Sequence, residues 1–453
     1  MQRRFIRRGV GALLAGALFA TAASSQPPSR QAPAAAPPAD AMSLSGEKVF
    51  AFARTRLLQI RTLVATANRQ SSIGSGFFMS ADGLVITNYH VVSQFALEPK
   101  TYTLEYIAPD GTKGPLRLLA IDVANDLAVV KVDKTGFDFF ELDRRAIDGT
   151  MPKGERLYSM GNPLDLGFTI VEGTYNGLVD KSYDDQVHFS GAINPGMSGG
   201  PTTTGEGRVA GINVARRLDG ELVSFLVPAK YADALLARAR AGAVLEMPRA
   251  RAEIGRQLDT WQARFYRDTL EKGFKPATFG PYRAAESAAP WFQCWASTNS
   301  DQFPKARAHV NTTQCYAQTS IFVAGDLRTG TLQFSHSYLQ GVDLNEFQFA
   351  TFASQQYRSG RYGGYFDRKR LTPQECIDEF IKPQAEGRGP AVRTRICARA
   401  YRDFEGLYDV SVIAYTQDRA LEGLVSNLSM RGIAWENAMA LARRFLAEIQ
   451  WAK

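Results

Sequence analysis

A mainly β protein with an α+β C-terminal region is what this sequence predicts, and three observations carry that expectation. From about Ser45 to Met247 short apolar segments alternate with Gly-rich turns, the pattern of an antiparallel sandwich or barrel. Helical periodicity is clear in residues 250–273, where Ile254, Leu258, Trp261, Phe265 and Leu270 fall near one face. Beyond residue 276 the composition shifts toward aromatic, Gln, Ser and Thr residues, and all four cysteines lie there. The 453 residues suffice for two or three cores, and a chain that is 45% hydrophobic and 22% charged is neither wholly disordered, collagen-like nor a pure coiled coil.

The chain opens on a charged start containing Arg3, Arg4, Arg7 and Arg8, followed by the uncharged apolar stretch Gly9–Ala23 with small residues at Ala20, Ala22 and Ala23. This is the order of a secretory signal peptide, assigned to residues 1–25. The stretch is short of the ~20 apolar residues a bilayer span needs, although an uncleaved anchor is the alternative. The expected location is the periplasm or the exterior, with no stable membrane span once the signal is removed. The arginine pairs leave both general and twin-arginine export open. Net charge is +8, and without those four arginines about +4, too mild a surplus to indicate a nucleic-acid partner.

Residues 26–44 are rich in Pro and Ala, a linker composition. Within residues 45–247, Leu58, Ile60 and Thr62 alternate with Gln59 and Arg61. Gly76-Phe-Phe-Met leads into the turn Ser80-Ala-Asp-Gly83 and then Leu84-Val-Ile-Thr. Leu127-Ala-Val-Val-Lys-Val is a further apolar strand, and Pro228 to Arg240 reads as a closing helix. Residues 248–275 are expected to form a connecting helix ended by Gly273 and Pro276. Residues 276–453 should form the α+β region, with strands around 308–324, 331–340 and 407–417 and a last amphipathic helix near 434–450.

Three segments carry chemistry. They are Gly74–Val92 containing His90, Val123–Val132 containing Asp126, and Gly191–Pro201 containing Ser198. A serine hydroxyl is a weak nucleophile unless an imidazole takes its proton, and a carboxylate then fixes the imidazole tautomer and stabilises its cation. His90, Asp126 and Ser198 each lie at the edge of an apolar strand, so all three could face one cleft. Gly196 lets the chain turn so that its own N–H and that of Ser198 converge as a donor pair for an oxyanion. Alone, His90 would be read as a packing residue, Ser198 as part of a turn and Asp126 as a solvated charge; the set of three makes the catalytic reading. His188, His309 and His336 lack such context and are read as structural or surface residues.

With TNYHVV, NDLAVVKV and INPGMSGGP in this order, residues 50–240 resemble the trypsin-like serine proteases of the HtrA/Deg type. The resemblance continues in Val209-Ala-Gly-Ile-Asn and Phe225-Leu-Val-Pro228. It implies a double β-barrel with the active site between the barrels, His90 as general base, Asp126 orienting it, Ser198 attacking, and Gly196 and Ser198 as the oxyanion hole. It also implies that Ile193, with Ala192 beside it, lines a primary pocket suited to small aliphatic side chains. Polypeptides are the expected substrates, and a homo-oligomer is left open. Two positions depart from the family. Met197 stands where Asn or Asp is usual, which removes activation by a newly cut N-terminus, and Ser190 replaces an acidic residue. No PDZ signature follows residue 250.

An even cysteine count in an exported chain suggests disulfides. Of three pairings, the local ones, Cys294–Cys315 and Cys376–Cys397, are equally spaced and favoured; zinc is the alternative, disfavoured because no C-x-x-C occurs. Trp291, Trp295 and Tyr316 near the cysteines are expected to form a disulfide-stapled core. The stretch Arg358–Arg370 mixes basic and aromatic residues and is expected to be an exposed loop, with polyanion binding as the alternative. No metal, nucleotide or flavin motif occurs, so no cofactor is expected. The leading expectation is an exported serine endopeptidase in envelope protein quality control or processing. The alternative is a catalytically silent protease-fold binding protein whose C-terminal region recruits a partner or regulates access.

Overall fold

The computed structural model describes residues 44–216, 223–242, 245, 249–287, 289–317, 319–359, 368–381 and 389–452. The signal-peptide and linker expectations, and most of the basic-aromatic stretch before Arg370, lie outside the described residues.

Helix α1 (Leu44–Ala53) precedes strands β1 (Leu57–Val64), β2 (Arg69–Phe78) and β3 (Leu84–Thr87). Gly83, at φ +91°, closes the Ser80–Gly83 turn with its N–H on the Ser80 carbonyl, joining β2 to β3 as the sequence predicts. Helix α2 (Tyr89–Leu97) follows, then β4 (Tyr102–Ile107), β5 (Lys113–Pro115), β6 (Arg117–Asp122) and β7 (Leu127–Lys131). These strands form one antiparallel half-barrel sheet in the order β5-β4-β1-β2-β3-β7-β6. The alternation expected in β1 is blunted: Gln59 is buried with Leu58 and Ile60, because both faces of the strand are covered, and its amide donates to Asp165 at 2.6 Å.

Helix α3 (Arg144–Asp148) leads into β8 (Arg156–Gly161), β9 (Thr169–Leu178), β10 (Val187–Phe189), β11 (Pro201–Thr203), β12 (Val209–Arg216) and β13 (Ser224–Pro228), then helix α4 (Ala229–Arg240). Here the sheet closes into a barrel, β10-β13-β12-β11-β8-β9. Closure leaves no unpaired edge and encloses Leu157, Phe189, Ile193, Met197 and Leu226. A second cluster, with Leu57, Phe77, Ile86, Leu127, Met160 and Ile212, joins the half-barrel to the closed barrel. The fold class expected for this half of the chain is the one observed.

Helix α5 (Ala250–Lys272) buries the predicted stripe Ile254, Leu258, Trp261 and Phe265, and Gly273 at φ +70° ends it. Strands β14 (Phe274–Phe279) and β15 (Tyr282–Ser287) pair as a small sheet. A large antiparallel sheet follows from β16 (Phe292–Thr298), β17 (Ala308–Ala317), β20 (Leu332–Gly341), β21 (Glu375–Ile381), β22 (Val392–Ala400), β23 (Leu407–Thr416) and β24 (Glu422–Ala434). Its order is β16-β17-β20-β24-β23-β22-β21. A separate hairpin, β18 (Ile321–Ala324) and β19 (Leu327–Thr329), leaves it between β17 and β20. Helix α6 (Glu346–Ser359), helix α7 (Trp435–Ala447) and the short β25 (Gln450–Trp451), which pairs with β15, complete the region. One hydrophobic cluster runs from Leu58 and Val91 through Trp261 and Phe265 to Val410 and Phe445, so the C-terminal sheet, α5 and the outer face of the half-barrel share a core.

The disulfides are the local pair, Cys294–Cys315 and Cys376–Cys397, each joining residues directly opposite on neighbouring strands. The expected aromatic core around the first is corrected. β16 is the edge strand of its sheet, and Trp295 stands on the exposed face, 64% accessible, with its indole N–H on the Tyr316 hydroxyl at 3.1 Å. Trp291 alone of the three packs inward, edge-on to Tyr183. No helix among the described residues is long and apolar enough to cross a membrane.

Candidate active site

The nucleophile loop is two consecutive β-turns written into the sequence. In Asn194-Pro-Gly-Met197 the Met197 N–H reaches the Asn194 carbonyl at 3.0 Å, with Pro at the second position and Gly196 at φ +93° at the third. That is the residue pattern of a type II turn. The next turn, Met197-Ser-Gly-Gly200, is closed by Gly200 N–H on the Met197 carbonyl at 3.0 Å, with Gly199 at φ +83°. Ser198 is therefore lifted between two left-handed glycines. A Cβ on Gly196 would collide with the Asn162 carbonyl, and one on Gly199 with the Ser75 carbonyl. Neither the Gly196 nor the Ser198 N–H donates to any described residue, which leaves the two donors available to a ligand oxygen.

Met197 does not disturb the loop: it is fully buried in the closed-barrel core and serves as an apolar anchor beneath Ser198. Two residues that motif reasoning gave no role hold the loop from both sides. The Ser75 hydroxyl donates to the Gly196 carbonyl at 2.7 Å and accepts the Asn162 N–H at 3.0 Å, while the Ser75 N–H reaches the Ser198 carbonyl at 2.7 Å. The amide of Asn213, wholly buried, donates to the carbonyls of Met160 and Met197 and accepts from Ser159 and Thr202. The sequence signal for both is a polar residue inside an apolar or Gly-rich strand, where burial demands full hydrogen bonding.

His90 sits in the first turn of α2, and Asp126 sits in the turn before β7. The Asp126 carboxylate accepts twice from the same residue, from His90 Nδ1 at 2.6 Å and from the His90 backbone N–H at 2.8 Å. That pairing fixes which ring nitrogen carries the proton and leaves Nε2 as the free base. Asp126 adopts φ +54°, costly for a residue with a side chain. Its carbonyl is held there by the Tyr89 N–H at 3.1 Å and the Asn88 side-chain amide at 2.8 Å. Asn88 occupies the N-cap position of α2 but makes no cap hydrogen bond; its amide is used on Asp126 instead.

Burial pulls the His90 pKa down, but the charge and hydrogen bond of Asp126 outweigh it, and Arg328 adds a smaller downward push; the net shift is upward. The Ser198 hydroxyl donates to the Val214 carbonyl at 3.4 Å, and no Ser198–His90 hydrogen bond is present. His90, Asp126 and Val214 line one cavity of about 300 Å³ together with Asp184, Asp185, Phe225, Phe322 and Arg328. Ile193 lies elsewhere: it is buried in the closed-barrel core with its N–H on the Ser224 hydroxyl at 3.2 Å, while Ala192 is exposed, and neither lines this cavity. His336 is wholly buried, whereas His188 and His309 are half-buried; none of the three lines the cavity.

Residues 74–212 match the family model for a trypsin-like peptidase domain. A putative serine protease HhoB of Synechocystis sp. is 36% identical over 172 residues, covering 36% of this chain and 39% of the relative. A probable periplasmic serine endoprotease DegP-like of Bartonella henselae is 35% identical over 152 residues, covering 32% and 28% of the two chains. Its counterpart in Rhizobium meliloti is 36% identical over 172 residues, covering 36% and 32%. The chain thus spans well under half the length of these curated relatives. Among solved structures, a serine endoprotease from Yersinia pestis matches with a TM-score of 0.38 at 23% identity, covering 44% of this chain and 68% of that one. The HtrA-type protease AlgW with a tripeptide matches with a TM-score of 0.37 at 27% identity, covering 42% and 62%. The match to a trypsin-like peptidase domain thus lies in residues 74–212, and the curated relatives that share part of their length with this chain at 35–36% identity are serine proteases.

Proposed function

We propose that this protein is an exported serine endopeptidase acting on polypeptides of the cell envelope, with residues 45–247 as the peptidase unit, 248–275 as a connecting helix and 276–453 as an accessory region. The observation that carries the reading is the pair of hydrogen bonds His90 gives the Asp126 carboxylate, one from its backbone N–H and one from Nδ1, the second of which prepares Nε2 as a base. In the reaction Ser198 Oγ attacks the scissile carbonyl carbon as His90 Nε2 takes the hydroxyl proton. Asp126 stabilises the imidazolium, and the N–H groups of Gly196 and Ser198 bind the oxyanion. Collapse of the tetrahedral intermediate breaks the C–N bond, the leaving amine takes the proton from His90, and an acyl-Ser198 ester remains. Water, deprotonated by His90, hydrolyses that ester and restores the serine.

A second reading, a silent protease-fold binding protein, is favoured by one observation: Ser198 is hydrogen-bonded to Val214 rather than to His90. A small fluorophosphonate probe separates the two, because it reacts with an activated serine and needs no peptide subsite. Labelling of the folded full chain that vanishes in Ser198→Ala supports the peptidase. Folded protein that stays unlabelled overturns it and supports the silent reading.

A further inference from the structure

The cavity beside His90 is not built by the peptidase unit alone. One wall comes from residues more than two hundred positions downstream of His90: Thr319 and Ser320, which lead into the β18–β19 hairpin, and Ile321, Phe322 and Arg328 within it. The Phe322 ring meets the His90 imidazole edge-on at 5.9 Å between centroids. The hairpin is fixed in that place by the Tyr89 hydroxyl, which donates to the Val323 carbonyl at 2.9 Å. Its turn is held too, since Asp326 pairs with the buried Arg370, itself bound to Asp403 and Glu98.

The charges around the cavity do not balance in an obvious way, and the imbalance is informative. Three carboxylates line it, and each has a partner. Asp126 holds His90, Asp184 accepts from the Trp261 indole N–H at 3.0 Å and lies 3.3 Å from Arg264, and Asp185 pairs with Lys230 at 2.5 Å. Arg328 is the exception. It is exposed, its guanidinium carbon lies 5.3 Å from the centre of the Phe322 ring, and it has no ion pair among the described residues. It acts on the imidazole electrostatically, so its charge is felt at the reacting end of the cavity. The remaining lining is uncharged: Val123, Val214, Phe225 and Val227 with Phe322 are apolar, and Asn125, Gln186, Thr319 and Ser320 add neutral polar groups.

We infer that the β18–β19 hairpin forms a substrate subsite of the peptidase, in which Phe322 packs on the stem and Arg328 pairs with the carboxylate of an acidic side chain on the polypeptide near the scissile bond. This rests on the peptidase reading above. A glutamate or aspartate suits the site physically: its methylene stem meets an aromatic face, and its charge meets the cavity's guanidinium, which has no ion pair among the described residues. A basic side chain there would face Arg328 with like charge. The C-terminal region thereby takes part in substrate selection rather than only in substrate recruitment.

The test uses the full chain and a C-terminally amidated peptide library, so that side chains are the only source of carboxylates. Cleavage products are read by mass spectrometry at every position on both sides of the cut. The expected result for the wild type is a preference for Glu or Asp over Lys or Arg at one position, by about three- to tenfold, the range of a partly exposed ion pair. In Arg328→Glu that preference should invert, and in Arg328→Gln it should vanish. The ratio is internal to each variant and does not depend on how much of the enzyme is active. A fluorophosphonate-reactive wild type with no acidic preference, or an Arg328→Glu variant that keeps it, overturns the subsite. A reactive wild type that cleaves no peptide also overturns it, and shows that the hairpin closes the cavity instead. An unreactive wild type overturns the peptidase reading, a distinguishable failure.

Discussion

The hydroxyl of Tyr89 donates to the carbonyl of Val323 across 2.9 Å, tying the residue directly before His90 to a hairpin of the C-terminal region. Tyr89 is fully buried, and burial together with the nearby Asp126 charge pushes its phenol far above the ordinary tyrosine range, so it remains a donor at any physiological pH. Its backbone N–H binds the Asp126 carbonyl, so this one residue belongs both to the frame of the His–Asp pair and to the anchor of the hairpin. Tyr89→Phe keeps the ring but strands the Val323 carbonyl. The expected cost is about 1–2 kcal/mol in denaturant unfolding, with faster amide exchange over residues 321–329. Unchanged exchange in that segment would show that packing of Phe322, not the hydrogen bond, holds the hairpin.

Asp126→Asn is the cleanest probe of the His–Asp pair. Asparagine tolerates the left-handed backbone at this position, whereas Ala would add strain to the loss of the carboxylate. Turnover should fall by roughly 10³–10⁴-fold with the fold intact, because the imidazole loses the acceptor that sets its tautomer. Steady-state kinetics beside a thermal melt checks this, and a loss below tenfold would remove Asp126 from the mechanism.

His90 must be neutral to accept the serine proton, and its pKa is raised above 6.5 in the fold. The acid limb of kcat/KM should therefore have its midpoint above the ordinary imidazole value, with activity rising as pH rises through it. Arg328 opposes that upward shift. Arg328→Gln should move the limb further toward high pH, measured on a substrate lacking acidic residues. A limb that stays in place would mean that Arg328 is screened from the imidazole.

Stability has its own pH dependence, and it centres on His336. This ring is wholly buried against Phe445, Phe334 and Phe279, with Nε2 donating to the Ala285 carbonyl and Nδ1 accepting from the Ser426 hydroxyl, both at 2.8 Å. Burial pulls its pKa down to about 4, and the Ala285 hydrogen bond offsets only part of that. The neutral ring is the native form, so its contribution is complete above the unfolded value near 6.5 and is lost as pH falls toward 4, by up to about 3 kcal/mol. The melting temperature should drop between pH 6.5 and 4, and the drop should be smaller in His336→Gln. Equal drops in both proteins would assign the acid sensitivity to other groups.

Much of the site was legible in the sequence because its parts are local. Asn194-Pro-Gly-Met and Met197-Ser-Gly-Gly specify two turns through residues that favour their backbone angles, and the three motif segments place His90, Asp126 and Ser198 at strand edges. The helix expected over 250–273 and the two disulfides were readable from local pattern too: a stripe at helical spacing, and two cysteine pairs with the same separation of 21, which the fold places opposite each other on adjacent strands. Ser75 and Asn213 were harder, since a polar residue in a strand declares its burial only once its neighbours are known.

What the sequence by itself determined is the antiparallel β architecture, the turn that presents Ser198, and the residue types that could perform acyl transfer. The tertiary structure alone decided that Ile193 turns into the barrel core, that Trp295 faces outward on an edge strand, and that Phe322 and Arg328 stand beside His90. The physical reason is range. Turn and strand preferences act over a few residues through backbone sterics, whereas Tyr89 and Val323 are 234 residues apart and meet only because one hydrophobic core joins the half-barrel to the C-terminal sheet.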